Sequence, residues 1–187
     1  MNHSRCQEPF FGSIKKGGRL KLLYSKKKIQ KRVKELGKQI SLDHVDSNMI
    51  IVPILKGALM FACDLMREID VPVQIDFIRL NSYIKQESSG KIDFGYLGDL
   101  DWTNKDVLIV EDIIDTGLTM NTLINYLLIT RKPRSIKVCV LIDKYSRRKE
   151  EVKADYVGFV LTEDKFLIGY GLDNSEFDRN LESIYYI

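Results

Sequence analysis

The chain has 187 residues, of which 44% are hydrophobic and 29% are charged, and this composition favours one globular domain over a disordered chain. Its formal net charge of +3 is too small to imply a nucleic-acid or membrane partner. Two histidines, His3 and His44, are too few for a zinc site and argue against a Ser-His-Asp triad.

The cysteines and the apolar runs bear on the compartment. Cys6, Cys63 and Cys139 are an odd number without a close pair, which argues against a disulfide framework and for a reducing compartment. No apolar run approaches the ~20 residues that a membrane helix requires. The stretch from Met1 to Phe11 lacks the pattern of a signal peptide. We therefore expect a soluble cytoplasmic protein.

In the first third of the chain, residues 1–19 are polar and rich in glycine, and predict a loose arm. A short strand is predicted from Leu20 to Tyr24, and Ser25 can cap a helix that runs to about Ile40. The apolar stripe of this helix has helical spacing and consists of Ile29, Val33, Leu36 and Ile40. Met49 to Leu55 is a continuous apolar run, which predicts a strand buried on both faces of a parallel sheet.

The basic residues are concentrated near the beginning. Between Lys15 and Lys34, ten residues are Lys or Arg and none is acidic. Because the run overlaps helical spacing, a solvated helix face is the favoured interpretation. Attraction of an anionic substrate or of RNA is the alternative.

The middle of the chain alternates strand and helix patterns. A helix is predicted for 57–69, a strand for 73–80, and a further helix from about Thr119 to Ile129. Further strands are predicted at 107–110, 135–142, 156–161 and 166–170. The stretch 81–105 is polar without clear periodicity, and loops of that length are usually functional. The pattern predicts a single α/β domain with a mainly parallel sheet.

One segment, VLIVEDIIDTGLT from Val107 to Thr119, carries the strongest indication of chemistry. In an open α/β sheet, ligands bind beyond the carboxyl ends of the strands, where this segment turns into a helix. Glu111 and Asp112 are suited to accept hydrogen bonds from the hydroxyls of a ribose. The following turn can direct backbone N–H groups and two hydroxyls at a phosphate, from Thr116, Gly117, Leu118 and Thr119. The segment therefore predicts a ribose-phosphate site.

The same segment resembles the PRPP-binding signature of the phosphoribosyltransferases, where PRPP is phosphoribosyl diphosphate. Other stretches resemble the hypoxanthine-guanine subfamily, namely Leu55-Lys56-Gly57, Ser82-Tyr83, LIDKYSRRK and DKFLIGYGLD. The resemblance spans roughly Leu20 to Ile187. It implies a mainly parallel twisted sheet flanked by helices, with a small hood formed by the N- and C-terminal segments.

For the PRPP side of the site, the resemblance implies that Lys56, Gly57 and Arg179 bind pyrophosphate, with a cis peptide bond before Lys56. It also implies that Asp173 binds magnesium, with metal contacts from Glu111 and Asp112. Ser82 and Tyr83 would lie at the base of a mobile lid formed by 81–105, whose closure would exclude water.

For the purine side, the resemblance implies that Asp115 accepts the proton from purine N7. Lys144 would donate to the exocyclic O6, which selects 6-oxopurines over adenine. Phe166 would stack on the base, Leu167 would contact it through backbone groups, and Asp173 would lie beside it.

The implied substrates are PRPP and a 6-oxopurine, with Mg²⁺ as cofactor, no nucleic-acid or membrane partner, and a homodimer or homotetramer as the assembly. A PRPP-sensing regulator that binds RNA or DNA is an alternative, which the basic run favours. A transferase for adenine, uracil or orotate is another, which Lys144 and the DKF stretch disfavour. The preference among hypoxanthine, guanine and xanthine stays open.

Overall fold

The structure is a computed structural model, and it describes residues 20–45, 47–80 and 94–187. The proposed arm 1–19 and the lid residues Ser82 and Tyr83 lie outside the described residues. The helices in the described part are α1 (Lys26–Asp43), α2 (Leu59–Arg67) and α3 (Leu118–Arg131). The strands there are β1 (Lys21–Tyr24), β2 (Met49–Leu55), β3 (Val73–Ile75), β4 (Ile78–Leu80), β5 (Phe94–Tyr96), β6 (Asp106–Ile114), β7 (Ser135–Lys144), β8 (Tyr156–Leu161), β9 (Leu167–Ile168) and β10 (Ile184–Tyr186).

The larger sheet has the order β5-β4-β2-β6-β7-β8, and β3 also pairs with β2. Every pairing from β4 to β8 along this order is parallel, and only β5 runs antiparallel to its neighbour in this part of the chain. The prediction of a mainly parallel α/β sheet is confirmed. Its carboxyl ends meet at one edge, which is where a site is expected.

Helices cover both faces of this sheet. In β2, Met49 and Ile51 belong to the core formed with α1 and α2, whereas Ile50 and Val52 belong to the core formed with α3. A strand covered on both faces explains the continuous apolar run. All four residues of the predicted stripe on α1 are buried, and the backbone N–H of Lys28 donates to Ser25 Oγ at 3.4 Å as an N-cap bond.

A smaller antiparallel sheet of order β1-β10-β9 joins the two ends of the described chain. It forms the hood that the resemblance implied. Strand β10 escaped prediction because three residues are too few to show a period. The last predicted strand, 166–170, is shortened to β9, since Gly169, Tyr170 and Gly171 all have positive φ angles and leave the extended conformation.

The predicted strand 73–80 is wrong as one element, because it divides into β3 and β4 at Asp76. The Asp76 side chain is buried and accepts the backbone N–H groups of Asp99 at 3.2 Å and Leu100 at 3.1 Å. It also accepts the indole N–H of Trp102 at 2.9 Å. A buried carboxylate needs such donors. Regular pairing with β2 is interrupted at Asp76 and resumes at Ile78 in the same register.

These hydrogen bonds also show that the predicted loop 81–105 is not irregular throughout. Residues 94–96 form β5, and the backbone carbonyls of Leu97 and Gly98 accept hydrogen bonds from Arg131 at 2.6 and 3.1 Å. Its first part, 81–93, is outside the described residues.

Two further observations concern the described residues as a set. Cys63 and Cys139 are free thiols. None of the helices described is both long and apolar enough to cross a bilayer.

Candidate active site

The turn between β6 and α3 lies under a cavity of about 230 Å³ at the carboxyl edge of the sheet. The cavity is lined by Glu111, Asp112, Ile113, Ile114, Asp115, Thr116, Gly117, Thr119 and Met120. Of the residues predicted for this segment, Leu118 alone is not part of the lining, and its side chain is 40% exposed at the start of α3. The sequence placed Glu111 and Asp112 after the strand, whereas they lie within β6, because pairing with β7 continues to Ile114.

Gly117 gives this turn its shape. Its φ of 84° is left-handed, and an added Cβ would collide with the carbonyl oxygen of Glu150. The first helical hydrogen bond of α3 runs from the Asn121 N–H to Gly117 O at 3.0 Å. The amides from Leu118 to Met120 therefore precede any helical acceptor and can bind an anion at the helix N-terminus.

Asp115 stands in the turn with one carboxylate oxygen turned inward. Asp115 Oδ1 is buried and has no hydrogen-bond partner among the residues described. The ammonium nitrogen of Lys144 is 3.9 Å from this oxygen, and the guanidinium of Arg147 is 3.5 Å from Asp115 Oδ2. A buried acceptor without a donor is unusual, and it leaves room for a ligand N–H.

Lys144 ends β7, and its side chain is only 6% exposed. Its ammonium donates to Asp164 Oδ1 at 2.7 Å, and this hydrogen bond lowers the pKa of Asp164. Asp164 was not singled out from the sequence, although it begins the DKF stretch. The contact brings that stretch to the end of β7.

Phe166 and Leu167 follow two and three residues later. Phe166 is 55% exposed, which is unusual for a large aromatic side chain and suits a surface for stacking. Leu167 is buried in β9, where it pairs with Tyr186.

Two adjacent carboxyl groups, those of Glu111 and Asp112, face the same cavity. Burial raises the pKa of Glu111 well above its usual value, and the neighbouring charge of Asp112 raises it further. Burial also raises the pKa of Asp112, against a lowering effect of its hydrogen bonds. An added Cβ on Gly57 would collide with the Asp112 carboxylate, and one on Gly171 would collide with the Gly57 carbonyl. Glycine at both positions lets three backbone segments meet here.

Positive side chains lie beside these glycines. The Leu55-Lys56 peptide bond is cis, as the resemblance implied. Arg179 donates to Gly171 O at 2.7 Å and pairs with Asp173 at 2.9 Å, while Arg179 Nε is buried with no partner in the described part of the chain. Glu176, which the sequence did not single out, lies 2.7 Å from Lys56 Nζ and 3.5 Å from Arg179.

The carboxylates at this site suit one mode of magnesium binding. No group of three metal-ligating side chains is close enough together among the described residues to hold an ion alone. Magnesium is usually bound through one or two carboxylates with substrate phosphates completing the shell. Asp173, Glu111 and Asp112 are oxygen donors that fit that mode, beside the cations that attract phosphate.

A second cavity, of about 470 Å³, lies between α1, α2 and the segment after Tyr170. Of the predicted site residues, Arg179 lines it. The cluster around the β6–α3 turn is therefore the candidate active site. A twisted parallel sheet with an acidic strand end, an anion-binding turn and a hood is the arrangement of a phosphoribosyltransferase.

Comparison with known proteins supports the assignment to the phosphoribosyltransferases. The family model described as "Phosphoribosyl transferase domain" matches residues 20–175. The hypoxanthine-guanine phosphoribosyltransferase of Aquifex aeolicus is 45% identical over 174 residues, which are 92% of this chain and 97% of the relative. That of Bacillus subtilis is 44% identical over 88% of this chain and 91% of the relative. The crystal structure of the Bacillus anthracis enzyme has a TM-score of 0.82 at 41% identity, covering 89% of this chain and 95% of that one.

The chain therefore belongs to the phosphoribosyl transferase family, within its hypoxanthine-guanine branch.

Proposed function

We propose that the protein transfers the phosphoribosyl group of PRPP to hypoxanthine or guanine, with Mg²⁺, giving the nucleoside monophosphate and pyrophosphate. The observation that carries this proposal is the unpartnered Asp115 Oδ1, 3.9 Å from the Lys144 ammonium. A buried acceptor beside a buried donor complements the N7–H and O6 of a 6-oxopurine.

Lys144 selects the base. Its ammonium donates to O6, whereas adenine presents an amino group at that position and would leave the buried ammonium facing another donor. Phe166 stacks on the ring, and Leu167 and Asp173 lie at the edge of the base, with Leu167 acting through backbone groups. The exposure of Phe166 supports its part in this set.

The β6–α3 turn binds the ribose 5-phosphate end of PRPP. Glu111 and Asp112 accept hydrogen bonds from the ribose hydroxyls, which favours their ionised forms over the protonated ones that burial favours. The 5-phosphate is bound at the start of α3 by Thr116, Gly117, Leu118 and Thr119.

Pyrophosphate is held by Lys56, Gly57 and Arg179. The unpartnered Arg179 Nε supports this, because a buried donor needs an acceptor. Asp173, Glu111 and Asp112 would hold the magnesium ion. When bound, the ion neutralises pyrophosphate charge and makes it a better leaving group. Ser82 and Tyr83 stay predictions, since they lie outside the described residues.

In the reaction, the bond between the anomeric carbon and a pyrophosphate oxygen breaks, and a bond from that carbon to a purine nitrogen forms. The base then carries one proton too many, and Asp115 accepts it from N7. Glu111 and Asp112 place negative charge near the sugar, where positive charge develops in the transition state.

Around this activity we also propose a single domain that acts as a homodimer or homotetramer in the cytoplasm. The free thiols Cys63 and Cys139 support a reducing compartment.

The test is product identification. The protein is incubated with PRPP, Mg²⁺ and hypoxanthine or guanine, and the nucleotide is identified by mass. We expect the corresponding monophosphate. Protein that binds PRPP but forms no nucleotide, and that shifts RNA in a salt-sensitive manner, would favour the regulator instead.

A further inference from the structure

A buried guanidinium that the proposed chemistry does not use lies behind the turn between β6 and α3. The Arg148 side chain is 10% exposed, and it forms an ion pair with Asp143, whose side chain is 3% exposed. It also donates to three backbone carbonyls, those of Ile114 at 3.2 Å, Asp115 at 3.1 Å and Lys144 at 3.3 Å. A surface ion pair would not need this set of acceptors.

These acceptors belong to the two strand ends that carry the purine-binding groups. Ile114 and Asp143 are cross-strand partners at the end of the β6–β7 pairing. One planar guanidinium thus holds the backbone carbonyl groups of Asp115 and Lys144. Lysine could not replace it, because an ammonium lacks the rigid fork of five donors.

The two residues that follow Arg148 complete the contact with the turn. The N–H groups of Lys149 and Glu150 both donate to Thr116 O, at 2.9 and 3.1 Å. Asn121 in α3 donates to Glu150 Oε2 at 2.8 Å. Since the carbonyls of the turn are bound on this outer side, its amides are left to face the cavity.

The aromatic ring of Tyr145 packs against the guanidinium of Arg148. The Arg148 guanidinium lies over the Tyr145 ring, 4.7 Å from its centroid. A hydrogen bond to Asp143 raises the pKa of the Tyr145 hydroxyl.

We propose that Arg148 is a positioning residue, which sets the separation between the Asp115 carboxylate and the Lys144 ammonium by holding the backbone of both strand ends. The inference rests on the proposed function, in which Asp115 and Lys144 bind the purine. It adds a residue that touches no substrate and acts through Asp115 and Lys144.

A purely structural ion pair is the alternative, and the opposite edge of the same sheet offers a matched control. There Arg134 forms an ion pair with Asp106, whose side chain is 10% exposed, far from the turn. Arg134→Lys removes the same fork and should leave turnover unchanged whatever it does to the melting temperature.

The experiment is a double-mutant cycle of Arg148→Lys with Asp115→Asn, in the full chain with PRPP, Mg²⁺ and hypoxanthine. In the parent, Arg148→Lys should lower kcat by about 10–100-fold, since small misplacements of reacting groups cost that much. In the Asp115→Asn background the same change should cost several-fold less, because one of the two positioned groups no longer works as a base.

An equal loss in both backgrounds, or no loss in the parent, would overturn the inference. If Arg148→Lys does not fold, Asp143→Asn replaces it, because it keeps the guanidinium but loosens its anchor. The same non-additive pattern with a smaller loss is then expected, and additivity overturns the inference. If the unaltered protein forms no nucleotide, the proposed function fails rather than the positioning role.

Discussion

Lys56 Nζ lies 2.7 Å from Glu176 Oε2. A carboxylate of the chain therefore occupies the position at which Lys56 and Arg179 would bind pyrophosphate. Arg179 is 3.5 Å from the same oxygen. The hydrogen bond from Lys56 lowers the pKa of Glu176, so the carboxylate is ionised at neutral pH. Its side chain is 60% exposed, and an exposed ion pair of this kind is worth little. We expect PRPP to displace it.

Glu176→Gln should therefore tighten PRPP binding. The substitution removes an anion that competes for Lys56 and Arg179, and we expect the Kd for PRPP to fall about two- to fivefold. Calorimetric titration with PRPP and Mg²⁺ measures it. Glu35→Gln, which removes an exposed carboxylate on α1, is the control and should change nothing. Unchanged or weaker binding by Glu176→Gln would show that the carboxylate does not compete.

Asp115→Asn should lower kcat by about 10²–10⁴-fold, because an amide cannot accept the N7 proton. In the proposed function the 5-phosphate is bound by backbone and hydroxyl groups of the turn, so the Kd for PRPP should stay within about twofold. Steady-state kinetics and PRPP titration on one preparation separate the two effects. A kcat equal to that of the parent would remove Asp115 from the proton transfer.

Lys144→Ala should lower kcat/KM for hypoxanthine by at least about 100-fold, since O6 loses a charged donor in a buried site. It should also free Asp164, whose low pKa depends first on the hydrogen bond from Lys144. Lys153→Ala removes a lysine whose side chain is 89% exposed and should have no effect. Equal efficiency before and after Lys144→Ala would contradict the role in base choice.

Stability should depend on acid through Asp106. A hydrogen bond from Arg134 is the main reason that the pKa of Asp106 falls to about 2 in the folded protein. The unfolded chain has the ordinary aspartate pKa of about 3.9. The ion pair thus contributes fully above about pH 4, and its contribution is lost as the pH falls towards 2.

Because Arg134 is more than half exposed, we expect a loss on the order of 1 kcal/mol between pH 5 and 2. Urea unfolding at a series of pH values measures it, with Asp106→Asn as the comparison. The parent should lose more stability than Asp106→Asn over that range. Parallel curves would contradict the assignment.

A structural feature of this protein could be predicted from the sequence when the interactions that cause it are local along the chain. Met49–Leu55 and the stripe on α1 were predicted correctly, because burial on both faces or on one stripe leaves a local pattern. The break at Asp76 was missed, because its causes lie at Asp99, Leu100 and Trp102, more than 20 residues away.

The site divides in the same way. The segment from Val107 to Thr119 predicts a ribose-phosphate site, because one strand, one turn and one helix start supply most of it. Asp164, Glu176 and Arg148 were not found, since nothing near them in sequence indicates that they contact Lys144, Lys56 or the back of the turn. Only the folded arrangement gives them a role.

In the proposed function, the Asp115–Lys144 pair binds the 6-oxopurine that receives the phosphoribosyl group of PRPP. The most direct measurement is the rate of pyrophosphate release from PRPP and Mg²⁺ with hypoxanthine, guanine or adenine supplied in turn. We expect turnover with hypoxanthine or guanine, and a kcat/KM for adenine lower by a factor of at least about 10³. Comparable turnover with adenine, or none with any of the three bases, would contradict it.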